Sequence, residues 1–325
     1  MRSRYGDPDV LSLRTVATPV PEPGQVLVQV AAAALNPADL HRLRGRPYLM
    51  RPSLGWRRPR AVGFGSDLAG RVVAVGDGVS ALAVGDRVAG SGQGACAEIV
   101  AVAAERLAQV PDGVSLADAA ALPIAASTAY QALAAHARLE PGRHVLVNGA
   151  SGGVGTFAVQ RAAMLGLEVT AVCSTRNVEL VASLGAAHVI DYSRSDWVVQ
   201  GHYDAIIDTV GDRSPRACLP ALAEGGSYVM VGAPISHPWI DPAPRLLAGR
   251  LAYAGRSAQF RWFVAHAGAD SITTILDDVA AGRVRPVIGR RVALADVAEA
   301  MRELADGHVV GKTVVEIDLE LQGRA

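Results

Sequence analysis

Cysteine is scarce in this sequence, and so are long apolar runs. The 325 residues include three cysteines, far apart in the chain, at Cys96, Cys173 and Cys218. They form neither a disulfide framework nor a paired-cysteine metal motif, which favours a reducing compartment. The longest uncharged run, Ala119–Ala135, is interrupted by Pro123 and is too short to span a bilayer comfortably. We therefore predict a cytoplasmic protein that does not enter a membrane.

An excess of charge of either sign is also missing. The chain has 31 basic and 31 acidic residues, and its formal net charge is zero. No overall field then draws it to nucleic acid or to anionic membranes, so we expect a small-molecule partner. Lysine is almost absent, since Lys312 is the only one. What remains is the composition of an ordinary soluble protein, long enough for two domains.

Two patterns follow one another along the chain. Short apolar runs between turn residues, such as Val26–Ala34 and Asp67–Val75, predict a β-rich first domain. After Pro111 the apolar strands alternate with helical stretches, which is typical of βαβ units and a parallel sheet. The predicted strands of that sheet are His144–Asn148, Glu168–Cys173, Ala187–Ile190, Asp204–Asp208, Ser227–Val231 and Leu251–Arg256, and helices should begin near Gly153, Arg176, Ser195 and Ser214. Two last helices, Ile272–Ala281 and Asp296–Ala305, and a final strand, Thr313–Ile317, are expected to return to the first domain.

A glycine-rich turn follows the first of these strands. It matches a dinucleotide-binding fingerprint with alanine in place of the first glycine, and Gly155 lets the helix pack on the strand. Unpaired N–H groups at the helix start would face a pyrophosphate, favoured by the helix dipole. The predicted contacts in this turn are Ala150, Ser151, Gly152, Gly153 and Val154.

The end of the next strand selects between the two nicotinamide cofactors. NADH sites carry an acidic residue there to bond the ribose 2′-hydroxyl, but this chain reads Cys-Ser-Thr-Arg-Asn from Cys173 to Asn177. Ser174 and Arg176 can instead bond a 2′-phosphate, and arginine does so with two charge-assisted bonds. The alternative is a helix cap at Ser174 or Thr175 beside a solvated arginine. We predict NADPH as the cofactor, with Ser174, Thr175 and Arg176 as its contacts here.

The chain resembles the zinc-independent quinone-oxidoreductase (zeta-crystallin-like) branch of the medium-chain dehydrogenase/reductase superfamily. The resemblance covers nearly the whole chain and is carried by the segments at 34–39, 70–76, 84–88, 121–125, 144–192 and 311–313. It implies an α/β fold: a GroES-like β-rich catalytic domain formed by residues 1–121 and 260–325, and a doubly wound Rossmann domain at 122–259. Relatives dimerise through the edge strand of the Rossmann sheet. Since an unpaired apolar edge invites pairing, we expect a homodimer joined at Leu251–Arg256.

The same resemblance assigns further residues. The catalytic zinc ligands of related alcohol dehydrogenases fall on Asn36, Ser66 and Ile124, and a zinc site needs three nitrogen, sulfur or oxygen ligands, so no metal is expected. The resemblance implies that Tyr48 lies near the substrate and that the Asn36 amide bonds the substrate carbonyl or the cofactor ribose. Asn36 could equally stabilise the Asn-Pro turn, and Tyr48 could anchor a loop. Further cofactor contacts are implied at Thr128, Tyr192, Val231, Gly232, Ala233 and Lys312.

These features predict hydride transfer from NADPH to a quinone or an α,β-unsaturated carbonyl. Without a Lewis acid, a conjugated acceptor is the easier substrate because the negative charge delocalises onto a carbonyl oxygen that needs only a hydrogen-bond donor and a proton. The alternatives are a specialised biosynthetic enoyl reductase or alcohol/ketone oxidoreductase, and a non-catalytic NADPH-binding protein. An arginine-rich segment between Arg42 and Arg60 either favours an acidic substrate or is a solvated basic loop.

Overall fold

The computed structural model describes residues 1–234 and 237–318. These residues form two compact units, and each has its own hydrophobic core. The first unit comprises Met1–Ser127 together with the chain from His266 onward, and the second comprises Thr128–Ala265. Both boundaries lie somewhat later in the chain than the sequence patterns placed them. Among the described residues, no helix is both long enough and apolar enough to cross a bilayer.

The N-terminal part of the first unit consists of short strands and short helices. The strands are β1 (Gln25–Leu35), β2 (Asp67–Val75), β3 (Arg87–Ser91), β4 (Ile99–Ala103) and β5 (Leu107–Gln109). The helices are α1 (Pro37–Arg44), α2 (Arg51–Leu54), α3 (Leu116–Ala120) and α4 (Pro123–Gln131), and α4 belongs to the second unit from Thr128 on. Helix α1 begins with proline, whose missing N–H costs nothing at this position, and ends at Gly45 with φ 58°. These local signals place Asn36 at the junction between β1 and α1.

The second unit contains a six-stranded parallel sheet. Its strands are β6 (His144–Asn148), β7 (Glu168–Cys173), β8 (His188–Asp191), β9 (Tyr203–Asp208), β10 (Leu222–Met230) and β11 (Gln259–Trp262), and its helices are α5 (Gly153–Met164), α6 (Val178–Ser183), α7 (Pro215–Cys218) and α8 (Ala243–Tyr253). The strand order is β11-β10-β9-β6-β7-β8. The chain reverses direction across the sheet between β6 and β9, and ligands of such sheets bind at the carboxyl ends of the strands at this point.

The C-terminal elements complete the first unit. They are α9 (Ala269–Ala280), β12 (Ile288–Ala293), α10 (Val297–Ala305) and β13 (Lys312–Glu316). The sheet order is β12-β13-β1-β2-β3-β5, with β4 also paired to β1. Because β13 lies beside β1 with Thr313 opposite Leu35, the start of the last strand comes next to the end of the first. This register brings Lys312 to Asn36.

Two predicted elements of the second unit are wrong. The predicted strand Leu251–Arg256 is the end of helix α8 and the turn after it; the sixth strand is β11, which pairs parallel with β10. An apolar run of this length fits a helix as well as a strand, and here Leu247 and Leu251, four residues apart, lie on the exposed surface of the helix. The helix expected near Ser195 is only a single 3₁₀ turn, Trp197–Val199.

Candidate functional site

The glycine turn after β6 has little room for side chains. Gly149 has φ 79°, and a Cβ atom there would lie 2.3 Å from Oγ1 of Thr209. A Cβ atom on Gly155 would lie 2.1 Å from the carbonyl oxygen of Gly149. Both positions therefore require glycine for the helix to start this close to the strand. Helix α5 begins directly after Gly152, as the sequence predicted.

The turn offers backbone donors to an anion. The first N–H groups of α5, at Gly153 and Val154, precede any intrahelical acceptor, and both residues are partly exposed. Ala150 differs from the other predicted contacts, because it is fully buried and its N–H donates to the carbonyl of Val172 at 3.0 Å. Ala150 therefore shapes the turn, whereas Ser151 through Val154 are the residues that can reach a ligand.

The end of β7 lies beside this turn. Asn177 is 7% exposed, and its Nδ2 donates to Oγ of Ser151 at 3.0 Å and to Oγ of Ser174 at 3.2 Å. The hydroxyl of Ser174 accepts no backbone N–H from the following turn, so Ser174 is not a side-chain cap. Arg176 is exposed on the same turn. Asn177 was not predicted from the sequence, although an asparagine so close to a predicted phosphate contact was a signal.

A carboxylate lies close to the predicted 2′-phosphate residues. Asp191 at the end of β8 accepts hydrogen bonds from the hydroxyls of Thr175 at 2.5 Å and Ser193 at 2.7 Å. These bonds lower the pKa of Asp191, so it is charged at neutral pH. Arg194 is 3.4 Å from the same carboxylate and compensates part of its charge. The predicted contact Tyr192, 57% exposed, follows Asp191 directly.

A buried carboxylate lies where the order of the strands reverses, between β6 and β9. Asp208, at the end of β9, accepts from Nδ2 of Asn148 at 2.9 Å and from the N–H of Gly211 at 2.8 Å. Its backbone carbonyl accepts the N–H groups of Val231 and Gly232, two predicted cofactor contacts. Burial raises the pKa of the Asp208 carboxyl. The sequence analysis did not single out Asp208, because a strand-ending aspartate is common and its partners come from other strands.

A polar cluster is buried in the first unit at the end of β1. Nζ of Lys312 donates to Oδ1 of Asn36 at 2.6 Å and to the carbonyl of Leu35 at 3.1 Å, and it lies 3.6 Å from Oδ2 of Asp67. Nδ2 of Asn36 donates to the same Asp67 oxygen at 2.9 Å. Burial raises the pKa of Asp67 to about 6 and lowers that of Lys312. Two residues that the sequence analysis singled out separately, Asn36 and Lys312, thus lie in contact.

The cluster continues around the start of α1. The hydroxyl of Ser66 donates to Oδ1 of Asp39 at 2.5 Å and accepts from Arg42 at 2.6 Å. The other carboxylate oxygen of Asp39 accepts the backbone N–H of Asn36 at 3.0 Å. Burial raises the pKa of Asp39 as well. Two carboxylates, one lysine and one arginine therefore hold the Asn-Pro turn, so Asn36 has a structural role whatever else it does.

Three predicted residues remain, and one of them, Ala233, is partly buried against the core of the second unit. Tyr48 starts a 3₁₀ turn, Tyr48–Met50, and the Arg51 guanidinium carbon lies 4.2 Å from the centre of its ring. Thr128 is in the second half of helix α4 and is 8% exposed. Tyr48 thus belongs to the first unit and Thr128 to the second.

Comparison with known families matches both units. The family model of the alcohol dehydrogenase GroES-like domain matches residues 22–112, and that of the zinc-binding dehydrogenases matches residues 184–315. The chain is 33% identical to a chloroplast envelope quinone oxidoreductase homolog of Arabidopsis thaliana, over 93% of this chain and 92% of that protein. It is 32% identical to the 2-methylene-furan-3-one reductase of Solanum lycopersicum, over 96% of this chain and 76% of the relative.

Solved structures agree with these relatives. The quinone oxidoreductase of Coxiella burnetii superposes with a TM-score of 0.85 at 28% identity, covering 97% of both chains. A mycobacterial protein complexed with NADPH superposes with a TM-score of 0.80 at 28% identity, covering 97% of this chain and 100% of that one. A GroES-like unit and a Rossmann unit with a dinucleotide turn define an oxidoreductase of the medium-chain class. Within that class, the chain belongs to the quinone oxidoreductase-like family.

One of the two matching families is that of the zinc-binding dehydrogenases, but the side chains that the structure describes do not form a zinc site. Of the three positions implied by the resemblance, Ile124 has no donor atom in its side chain, and Ser66 is bonded to Asp39 and Arg42. Oδ1 of Asn36 already accepts from the ammonium of Lys312. Across the described ranges, no three His, Cys, Asp or Glu side chains are grouped to hold a metal ion. These residues do not fit zinc, which requires three protein ligands of nitrogen, sulfur or oxygen type.

Proposed function

We propose that this protein transfers a hydride from NADPH to a quinone or an α,β-unsaturated carbonyl, without zinc. The proposal rests on two elements of the second unit that suit anions and that Asn177 links by hydrogen bonds. The glycine turn at the start of α5 suits a pyrophosphate, and Ser174 with Arg176 suits a 2′-phosphate. The relatives that reduce quinones and a conjugated furanone, and the NADPH complex of a related fold, support the same reaction.

The buried cluster of the first unit supports chemistry without a metal. A cation, Lys312, bonds the side chain of Asn36, one of the positions that correspond to zinc ligands. A conjugated acceptor takes the hydride directly, and the charge that develops on its oxygen needs a hydrogen-bond donor instead of a Lewis acid. Nδ2 of Asn36 has a second proton, whose bond to the Ala34 carbonyl is long at 3.4 Å. We assign that proton, together with the hydroxyl of Tyr48, to the oxygen of the substrate.

The remaining predicted contacts complete the assignment. Thr128 and the strand end at Val231, Gly232 and Ala233 are proposed to contact the nicotinamide half of the cofactor, and Thr175 and Tyr192 the adenosine half. Lys312 acts through Asn36, because its ammonium already donates to Oδ1 of that residue and to the carbonyl of Leu35. The unpaired cysteines suit a cytoplasmic protein. The exposed edge of β11 suits a homodimer.

The test is turnover with a panel of acceptors. NADPH and NADH oxidation should be followed with quinones, enones, enoyl thioesters and simple ketones. We expect turnover of quinones or enones with NADPH preferred over NADH. Turnover confined to enoyl thioesters or to ketones would favour the specialised biosynthetic alternative. Tight NADPH binding with no turnover of any acceptor would instead establish a non-catalytic binding protein.

A further inference from the structure

We propose that Asn177 is a positioning residue that sets the hydroxyls of Ser151 and Ser174 to donate to the phosphates of the cofactor. The inference rests on the proposed NADPH function and assigns to it a residue that touches neither phosphate. It starts from one buried amide that reaches two serines 26 and 3 residues away in the chain. Asn177 thereby links the turn after β6 to the turn after β7.

The polarity of these contacts determines what the serines can do. A serine hydroxyl has one proton to donate and two lone pairs that accept. Nδ2 of Asn177 has two protons and fills one lone pair on each serine, at 3.0 and 3.2 Å. Each hydroxyl proton is then free to point away from Asn177. Phosphate oxygens accept and do not donate, so they are the partners that this arrangement suits.

The positions of the two serines match the two anionic parts of NADPH. Ser151 lies in the glycine turn just before the N-terminus of α5, where a pyrophosphate would bind. Ser174 is two residues from Arg176, the predicted 2′-phosphate ligand. One buried side chain thus prepares both parts of the site before the cofactor arrives, which reduces the cost of ordering them on binding.

Thr175 shows the opposite arrangement on the same turn. Its hydroxyl donates to the carboxylate of Asp191 at 2.5 Å, so its proton is already used. A carboxylate partner takes the proton of a neighbouring hydroxyl, whereas the amide of Asn177 leaves it free. In Asn177→Asp, Ser151 and Ser174 should therefore donate their hydroxyl protons to the new carboxylate, as Thr175 donates its proton to Asp191.

The experiment compares Asn177→Asp with Asn177→Leu, which removes the donor without adding charge. Binding of NADPH and NADH is measured by the fluorescence of the bound nicotinamide, and folding by circular dichroism. For Asn177→Asp we expect NADPH affinity to fall by about 100-fold or more, and NADH affinity to fall less because NADH has only the pyrophosphate. Asn177→Leu should weaken NADPH by roughly 10-fold. Gln200→Glu, an amide-to-carboxylate change in an exposed turn of the same unit, is the charge control and should change neither affinity.

A double-mutant cycle separates positioning from a general structural effect. In a Ser151→Ala/Ser174→Ala background, Asn177→Leu should weaken NADPH by less than about 3-fold, because the hydroxyls through which Asn177 acts are gone. The proposed role of Asn177 would be overturned if Asn177→Leu had equal effects in both backgrounds, or if Asn177→Asp kept wild-type NADPH affinity. The proposed function would stand in either case. Wild-type protein that binds neither nucleotide would overturn the proposed function and this inference together. Should Asn177→Asp fail to fold, the leucine cycle still decides.

Discussion

At the scale of single residues, we expect cofactor choice to depend on Arg176. Replacing it by alanine should remove a charge-assisted interaction of roughly 1.5–3 kcal/mol with the 2′-phosphate. NADPH binding should then weaken by about 10- to 150-fold, while NADH, which lacks that phosphate, is nearly unaffected. Ser174→Ala should act in the same direction but less, since a neutral hydroxyl contributes about half as much.

Dissociation constants for both nucleotides, measured by fluorescence titration, check this prediction. Arg216→Ala, which removes an exposed arginine from helix α7 of the same unit, is the matched control and should leave both constants unchanged. Equal weakening of NADPH and NADH by Arg176→Ala would point to a folding defect, and no change for either would remove Arg176 from the site.

A second residue-scale prediction concerns the pH dependence of Asp67. Burial raises the pKa of this carboxyl from 3.8 to about 6, against the opposing pull of Lys312. Between these two values the folded chain holds a proton that the unfolded chain has released, so this group stabilises the fold below the lower value. That contribution is lost as the pH rises through about 6.

The Asp67 titration can be followed directly by carbon NMR of the carboxyl group, with an expected midpoint near 6. In Asp67→Asn, the part of the pH dependence of the unfolding free energy that comes from Asp67 should disappear. A midpoint near 3.8 in the folded wild type, the ordinary value for aspartate, would contradict the raised pKa and remove this pH dependence.

At the scale of elements, we expect assembly to depend on strand β11. It is the outermost strand of the parallel sheet, so one of its sides has no neighbouring strand within the described unit. Apolar side chains lie close to this edge in the sequence and are exposed: Trp262 at 43% and Val264 at 78%, with Leu251 of helix α8 at 67%. An uncovered strand edge with apolar surface favours pairing with a second copy.

We therefore expect a homodimer joined at β11, not at the sequence-predicted Leu251–Arg256, which the fold shows to be helix and turn. Analytical ultracentrifugation at micromolar concentration should give a dimer mass, and Trp262→Glu with Leu251→Glu should shift it to monomer. Val199→Glu changes a residue that is 79% exposed in a 3₁₀ turn of the same unit, and this control should remain dimeric. A monomeric wild type at that concentration would refute the dimer.

At the scale of the whole molecule, activity should be independent of metal. Because Ile124 has no ligand atom and Lys312 already bonds Asn36, we expect no stoichiometric zinc by elemental analysis of the purified protein. Incubation with a chelator should leave NADPH-dependent turnover unchanged, whereas a zinc-dependent alcohol dehydrogenase treated in parallel should lose activity. One zinc per chain, with turnover abolished by chelation and restored by zinc, would contradict the prediction.

The sequence by itself predicted the features that neighbouring residues define. Strand β6, the glycine turn and helix α5 occupy consecutive residues, and the turn can be built only with glycine at Gly149 and Gly155. The absence of an acidic residue at the end of β7 could also be seen from the sequence. The local apolar pattern was less decisive where a run fits a helix and a strand alike, which is why the end of helix α8 was mistaken for a strand.

Only the tertiary structure decided which polar groups meet. Lys312 bonds Asn36 from 276 residues away because β13 lies beside β1, and no local pattern specifies that neighbour. Asn177 meets Ser151, and Asp191 meets Thr175, because parallel strands bring their carboxyl ends to one edge of the sheet. Sequence periodicity determines which residues form a strand, whereas the order of strands determines which strand ends lie together. The polar groups of the proposed site lie at those strand ends, so their hydrogen-bond partners became visible only in the fold.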